Sequence, residues 1–233
     1  MKILCLIPAR RDSKGIPEKN WKPLLGVPLI NYSIESALKI HDIHTLCIST
    51  NSDEIIEIVQ KNFDLKVHFK RPESLSTDYS SSRDVILHAV DYFEKNNEYF
   101  DAILLLQPTS PLRKTIDIQN CISLFQENEC EMVVSVCQSP YNPYYNIYIE
   151  NNDSKFIQKS IQGSYTRRQD CPPAYLINGS IYVISVKAIK ENEIHNMSKL
   201  LKYVMPWEFN IDLDKPEDWI EMENLIKRES NVN

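Results

Sequence analysis

Cations gather at one place in this sequence. Between Arg10 and Lys22 the chain carries Arg10, Arg11, Lys14, Lys19 and Lys22 against Asp12 and Glu18, a local excess of three where the whole protein has a formal net charge of −6. A small basic island on an acidic chain suits a small anion better than a polyanion, which needs a broad basic footprint. The island also contains Gly15 and comes directly after Ile3-Leu4-Cys5-Leu6-Ile7. Such a loop offers N–H groups and positive charge to phosphate, and ligands of α/β proteins collect at strand carboxyl ends. The same stretch also reads as a solvated basic loop.

Two carboxylates further on could hold a metal ion. Asp212 and Asp214, in Asn210-Ile211-Asp212-Leu213-Asp214, would on an extended segment point to the same side with Cα atoms ~7 Å apart. Converging carboxylates suit Mg²⁺, a hard cation that also takes phosphate oxygens. A structural assignment competes: Asp214-Lys215-Pro216-Glu217 has the form of a capping box, although capping leaves Asp212 unexplained. A third polar cluster, Gln107-Pro108-Thr109-Ser110-Pro111-Leu112-Arg113, comes after the most apolar run of the chain. Its prolines fix a turn and Gln107 presents an amide donor and acceptor. An ordinary strand-to-helix turn capped by Thr109 or Ser110 fits the same residues.

Familiar signatures are missing. The chain has no G-x-G-x-x-G, no P-loop motif and no G-x-S-x-G elbow. Its five histidines show no zinc-like spacing with cysteine and read as structural or exposed.

Elements must hold these clusters. Ile3–Ile7 suits a strand buried on both faces. Apolar residues at helical spacing occupy Pro28–Lys39, then come a strand at Thr45–Ser49, a helix at Asp53–Lys61 and a strand at Leu65–Phe69. A helix around Val85–Phe93, a strand at Ala102–Leu106, a helix at Ile116–Phe125 and a strand at Met132–Val136 continue the alternation. Strands alternating with helices predict an α/β fold with a doubly wound, mostly parallel sheet. Regular structure is expected again at Ser180–Ile184, with a last helix from about Lys215 to Lys227. Residues 138–175 break the rhythm with Tyr141, Tyr144, Tyr145 and Tyr148, a polar turn at Asn151-Asn152-Asp153, and Arg167-Arg168-Gln169-Asp170. They read as an insertion forming a lid or an oligomer contact within one domain spanning 1–233.

Length and composition bound the rest. At 233 residues, 42% hydrophobic and 25% charged, the chain is an ordinary globular protein with room for one large core. No apolar run reaches the ~18 residues of a membrane span, and the opening run is too short for a signal peptide. Six cysteines without a C-x-x-C pair suit reduced, structural thiols and a cytoplasmic protein.

Taken in order, these segments resemble the acylneuraminate cytidylyltransferases, the CMP–nonulosonic acid synthetases. Ile7-Pro8-Ala9-Arg10, Ser13-Lys14-Gly15 and Lys19-Asn20 are similar to the family's opening motif, and Leu105-Leu106-Gln107-Pro108-Thr109-Ser110-Pro111-Leu112-Arg113 to its central one. Arg168-Gln169, Asn178-Gly179-Ser180-Ile181-Tyr182 and Ile211-Asp212-Leu213-Asp214 complete the set. Two positions depart from the pattern: Asp12 stands where the family usually has glycine, and Asn142-Pro143-Tyr144-Tyr145 replaces a His-Pro-Leu run with a lysine after it. The replacement is closer to relatives that act on legionaminic-type sugars.

The resemblance implies a Rossmann-like nucleotidyltransferase fold and a reaction of CTP with a sialic, legionaminic or related acid, giving the CMP-sugar and pyrophosphate. It implies that Arg10, Ser13, Lys19 and Asn20 hold CTP phosphates and ribose, and that Arg71, Ser80 and Ser82 fix the nucleotide. Gln107, Arg168 and Tyr182 would face the sugar acid, Asp212 and Asp214 would place Mg²⁺, and Lys19, Arg168 and Asp212 would carry the chemistry. A homodimer is implied, with neither nucleic acid nor membrane as partner. A KDO (3-deoxy-octulosonate) cytidylyltransferase and a non-catalytic CTP-binding dimer are the competing readings.

Overall fold

The computed structural model describes residues 1–150 and 156–232, so the expected turn at Asn151-Asn152-Asp153 lies outside the described residues. The first half runs β1 Ile3–Pro8, β2 Pro23–Leu24, β3 Val27–Pro28, α1 Leu29–Leu38, β4 Ile43–Ser49, α2 Asp53–Phe63, α3 Ser82–Lys95, β5 Ala102–Leu106 and α4 Thr115–Glu127. The second half runs β6 Met132–Gln138, β7 Tyr148–Glu150, β8 Ile157–Lys159, β9 Tyr175–Ser185, α5 Val186–Glu191, β10 Leu200–Met205 and α6 Pro216–Val232. Six strands form the main sheet in the order β10-β6-β9-β5-β1-β4. Only β9 runs against its neighbours, antiparallel to both β5 and β6, while the other main-sheet pairs are parallel.

Strand alternation sorts the core into two layers. Ile3, Cys5 and Ile7 of β1, with Ala102, Leu104 and Leu106 of β5, pack under α1, α2 and α4. Leu4 and Leu6, with Ile103 and Leu105, face α3 and α5 on the other side. Burial on both faces explains why these strands read as unbroken apolar runs. A third, smaller cluster joins Ile16 of the basic loop, Leu29 of α1, Leu213 from the segment before α6, and Trp219 of α6. It ties both ends of the chain together beneath the candidate site.

One expectation is corrected. Leu65–Phe69 forms no strand; the bridge nearest to it joins Thr50 to Lys70, just past its end. Leu65 and Val67 pack on one core layer and Phe69 on the other, so the three do not share the one face that a strand would give them. Between Ile184 and Asn210, a stretch for which the sequence reading names no element, α5 and the strand β10 appear. β10 is an edge strand with Lys202 at its middle, and a polar edge conceals the strand signal.

Behind α3 lies an aromatic cluster centred on Phe93, which is fully buried. The His68, Tyr92 and Phe100 rings stand 5.0, 5.3 and 5.5 Å from it. Phe93→Ala is therefore expected to cost ~3–5 kcal/mol, read as a lower urea midpoint with an unchanged slope.

Candidate functional site

β1 pairs with β4 on one side and β5 on the other, so the chain reverses its direction of travel across the sheet at β1. Crevices at such switch points, outside strand carboxyl ends, are where open α/β sheets take ligands. A cavity of about 310 Å³ opens there. Its walls bring together Arg10, Ser13, Lys19, Asn20, Arg71, Ser80, Ser82 and Gln107, all expected from the sequence, and add Thr109 and Asp78.

The basic loop is locked against the far end of the chain. Lys19 is buried, and its Nζ donates to Leu213 O at 2.6 Å and pairs with Asp214 Oδ1 at 2.9 Å. Asn20 Nδ2 donates to Arg10 O at 2.8 Å and holds the start of the loop. Gly15 passes so close to Asp214 that a Cβ added to it would stand 1.8 Å from the Asp214 carbonyl oxygen. Asp12 is exposed and makes a long ion pair with Arg11, 3.7 Å apart.

Arg71 enters from the other side. Its amide donates to Thr50 O at 2.7 Å and its Nε to Ser76 Oγ at 3.2 Å, but the buried Nη2 has no hydrogen-bond partner. Burial, with the Arg10 charge adding to it, pushes its pKa down to about 10. A buried guanidinium nitrogen left unpaired beside a second arginine leaves room for an anionic acceptor.

The carboxylates sit differently from the extended geometry expected. Asp214 N donates back to Asp212 O at 2.9 Å, a three-residue turn around the fully buried Leu213, whose own N–H goes to Thr109 O. Capping of α6 falls to Asp218, whose Oδ2 accepts from Asp214 N and Lys215 N. The Asp214 side chain is thus free of the capping role and serves Lys19. Asp212 keeps an exposed flank, yet the protein around its carboxyl raises its pKa above the ordinary value. The Thr109 hydroxyl and Lys19 oppose the shift, and Asp214 and Asp218 add to it. Among the described residues no three His, Cys, Asp or Glu side chains converge as a complete metal site. Two carboxylates beside a phosphate-sized cavity fit a Mg²⁺ that draws its other ligands from phosphate oxygens and water.

A second cavity of about 250 Å³ adjoins the first and shares Gln107, Ser82 and Leu105 with it. Tyr182, Ile194 and His195 complete its far wall. Burial and then the charge of Asp212 push the Tyr182 hydroxyl up to about 12, which places Tyr182 within the field of that carboxylate. Gln107 is held at this junction by Arg113, which donates to the Gln107 carbonyl, to Ser33 Oγ at 2.8 Å and to Ser180 Oγ at 3.4 Å. Thr109 and Ser110 do not cap α4, which starts only at Thr115. Gly179, at φ 70°, crosses beside Gln107, where a Cβ would be 3.6 Å from Oε1.

Arg168 is not brought to either cavity of its own chain. It lies exposed on a short turn at Arg168–Asp170. His195 and Asp78 escaped the sequence reading: His195 had no metal-like spacing, and Asp78 sits in a polar turn that resembles any solvated loop.

Known proteins resemble this chain over most of its length. A family model described as cytidylyltransferase matches residues 4–229. The chain is 31% identical over 220 residues to a pseudaminic acid cytidylyltransferase of Campylobacter jejuni, covering 94% of this chain and 93% of that one. It is 32% identical over 231 residues to a CMP-N,N'-diacetyllegionaminic acid synthase of Legionella pneumophila, covering 97% of each. Its fold matches a CMP:2-keto-3-deoxy-manno-octonic acid synthetase solved with CTP at a TM-score of 0.72 and 16% identity, over 98% of this chain and 100% of the other. With a family model spanning the sheet, both cavities and the Asp212–Asp214 turn, this chain belongs to the cytidylyltransferase family.

Proposed function

We propose that this protein is a CTP-dependent nucleotidyltransferase that activates a nonulosonic acid, a sialic, legionaminic or related sugar acid. The observation that carries the reading is the crevice at the sheet's switch point. There Arg10, Lys19 and Arg71, whose buried Nη2 is unpaired, line one cavity, Tyr182 lines the next, and the Asp212 charge acts on the Tyr182 hydroxyl. In this reading the first cavity takes CTP, with Arg10, Ser13, Lys19 and Asn20 on phosphate and ribose and Arg71, Ser80 and Ser82 on the rest of the nucleotide. The second takes the sugar acid, against Gln107 and Tyr182.

The acid's 2-hydroxyl oxygen attacks the α-phosphorus and forms the new P–O bond. The bond to the β-phosphate oxygen breaks, and its electron pair leaves with pyrophosphate. Asp212 orients the hydroxyl and accepts its proton. Lys19, buried and fixed to Asp214, neutralises phosphate charge without having to reorganise. Mg²⁺ held by Asp212 and Asp214 would supply further charge neutralisation on the triphosphate.

A homodimer is part of the proposal. Tyr141, Tyr148, Ile149, Ile157, Leu176 and Ile177 are exposed apolar side chains along residues 138–175 and the start of β9, more apolar surface than a solvated face needs. Arg168, outside its own cavities, would then meet the substrate carboxylate in the partner's site. Six free cysteines, four of them buried, suit the reducing cytoplasm.

Pyrophosphate release measured with CTP and Mg²⁺ against sialic, legionaminic, pseudaminic and KDO substrates tests the reading. Release is expected with a nine-carbon acid. Release with KDO alone would move the protein to the shorter-acid class, and CTP binding with no release for any acid would leave a non-catalytic binder.

A further inference from the structure

Asp78 lies on the wall of the first cavity and meets two cations of the basic loop at once. Its Oδ1 stands 2.7 Å from Arg10 Nη2 and its Oδ2 3.0 Å from Lys14 Nζ. A single anionic group that bridges two loop cations through separate oxygens does there what a phosphate does. Nothing in the pair is deeply buried: the Asp78 side chain is 33% exposed and that of Lys14 74%.

The segment that carries Asp78 is closed on itself. Thr77 N donates to Ser80 Oγ at 3.1 Å, Tyr79 N to Thr77 Oγ1 at 3.3 Å and Ser80 Oγ to Ser74 O at 3.3 Å. Ser81 then caps α3 by accepting from Asp84 N. Against these internal bonds, the ties to the basic loop run through the Asp78 carboxylate. Tyr79 beside it is 95% exposed, so the tip has no apolar anchor.

We propose that Asp78 and the nucleotide triphosphate are alternative occupants of the Arg10–Lys14 cation pair, so that CTP displaces the Asp78 carboxylate and frees the tip at residues 78 and 79, while Ser80 stays on the nucleotide. The proposal rests on the reading of Arg10 as a triphosphate ligand. Both cations have donors to spare, but a carboxylate kept within reach of the same nitrogens would face the phosphates at like charge. Displacement relieves that repulsion. It also makes the intrinsic affinity of the loop for triphosphate tighter than the measured one, because part of the binding energy goes to breaking two ion pairs.

Calorimetric titration of CTP, and separately of inorganic triphosphate, into the full chain, Asp78→Asn and Arg10→Ala decides it. Asp78→Asn is expected to bind both probes on the order of fivefold tighter at low salt, a gain that shrinks as ionic strength rises. Arg10→Ala is expected to bind both more weakly. Amide exchange of residues 78 and 79 should quicken when the unmodified protein takes up CTP and be quick throughout in Asp78→Asn; Asp78→Ser should repeat the sign. Equal or weaker binding by both Asp78 variants, with Arg10→Ala still impaired, overturns the proposal and leaves the site reading intact. Undiminished binding by Arg10→Ala overturns both.

Discussion

Asp212→Asn is expected to slow pyrophosphate release by about 10²–10⁴-fold, the range that loss of a positioned proton acceptor produces. The variant keeps the shape of the side chain and removes its charge, so neither the turn around Leu213 nor the Lys19–Asp214 pair depends on the change. Its stability should move the other way. A carboxyl whose pKa is raised by the folded protein favours folding most while protonated, and that contribution is lost as pH rises through the raised value. At neutral pH the charged Asp212 therefore works against the fold, and Asp212→Asn should melt at an equal or higher temperature. The difference should vanish below the ordinary aspartate pKa of about 3.9. Turnover of the unmodified enzyme should fall on acidification through that raised pKa, since only the ionised carboxylate accepts the proton. Near-normal turnover of a well-folded Asp212→Asn would remove Asp212 from the chemistry.

Gly15→Ala is the second large effect. The added Cβ would meet the Asp214 carbonyl oxygen at 1.8 Å and its carbonyl carbon at 3.0 Å, and backbone atoms cannot step aside as a side-chain tip can. Either the basic loop or the Asp212–Asp214 turn must move. Since Lys19 bridges the two, both halves of the site lose register together. A displacement of about 1 Å at reacting groups is enough for a loss on the order of 10²-fold in kcat/KM. Steady-state kinetics beside a melting curve would read it, with kcat/KM falling far more than stability. A kcat/KM within twofold of the unmodified protein would show that the loop adapts without consequence.

The basic loop was legible because its residues are consecutive: a buried strand delivers them, and their types are set side by side in the chain. The Asp212–Asp214 pair was visible as a pair, but its geometry was not. Burial of Leu213 and its bond to Thr109, more than a hundred positions away, bend the segment into a tight turn. Asp78 was invisible for a similar reason, since its importance comes from cations over sixty residues earlier. The strand expected at Leu65–Phe69 had the right alternation in sequence, but its apolar residues divide between the two core layers and the chain meets the edge next to β4 at one bridge, which only the tertiary packing reveals. Arg168 carried a strong motif but no local clue to which molecule's site it would serve.

The place of β9 bears on how the chain assembles as it is synthesised. β5 and β6 are consecutive main-sheet strands in the sequence, yet they are not neighbours; β9 fills the slot between them. The half made of β4, β1 and β5 can close early, whereas β6 must wait until β9, from Tyr175 on, has emerged before it gains its first partner. Through that interval two apolar edges stand open, of β5 and of β6, the kind of edge that pairs with the wrong chain. A chain cut before Tyr175 keeps every basic-loop residue and still exposes both edges, so its fate is aggregation and not a smaller working enzyme.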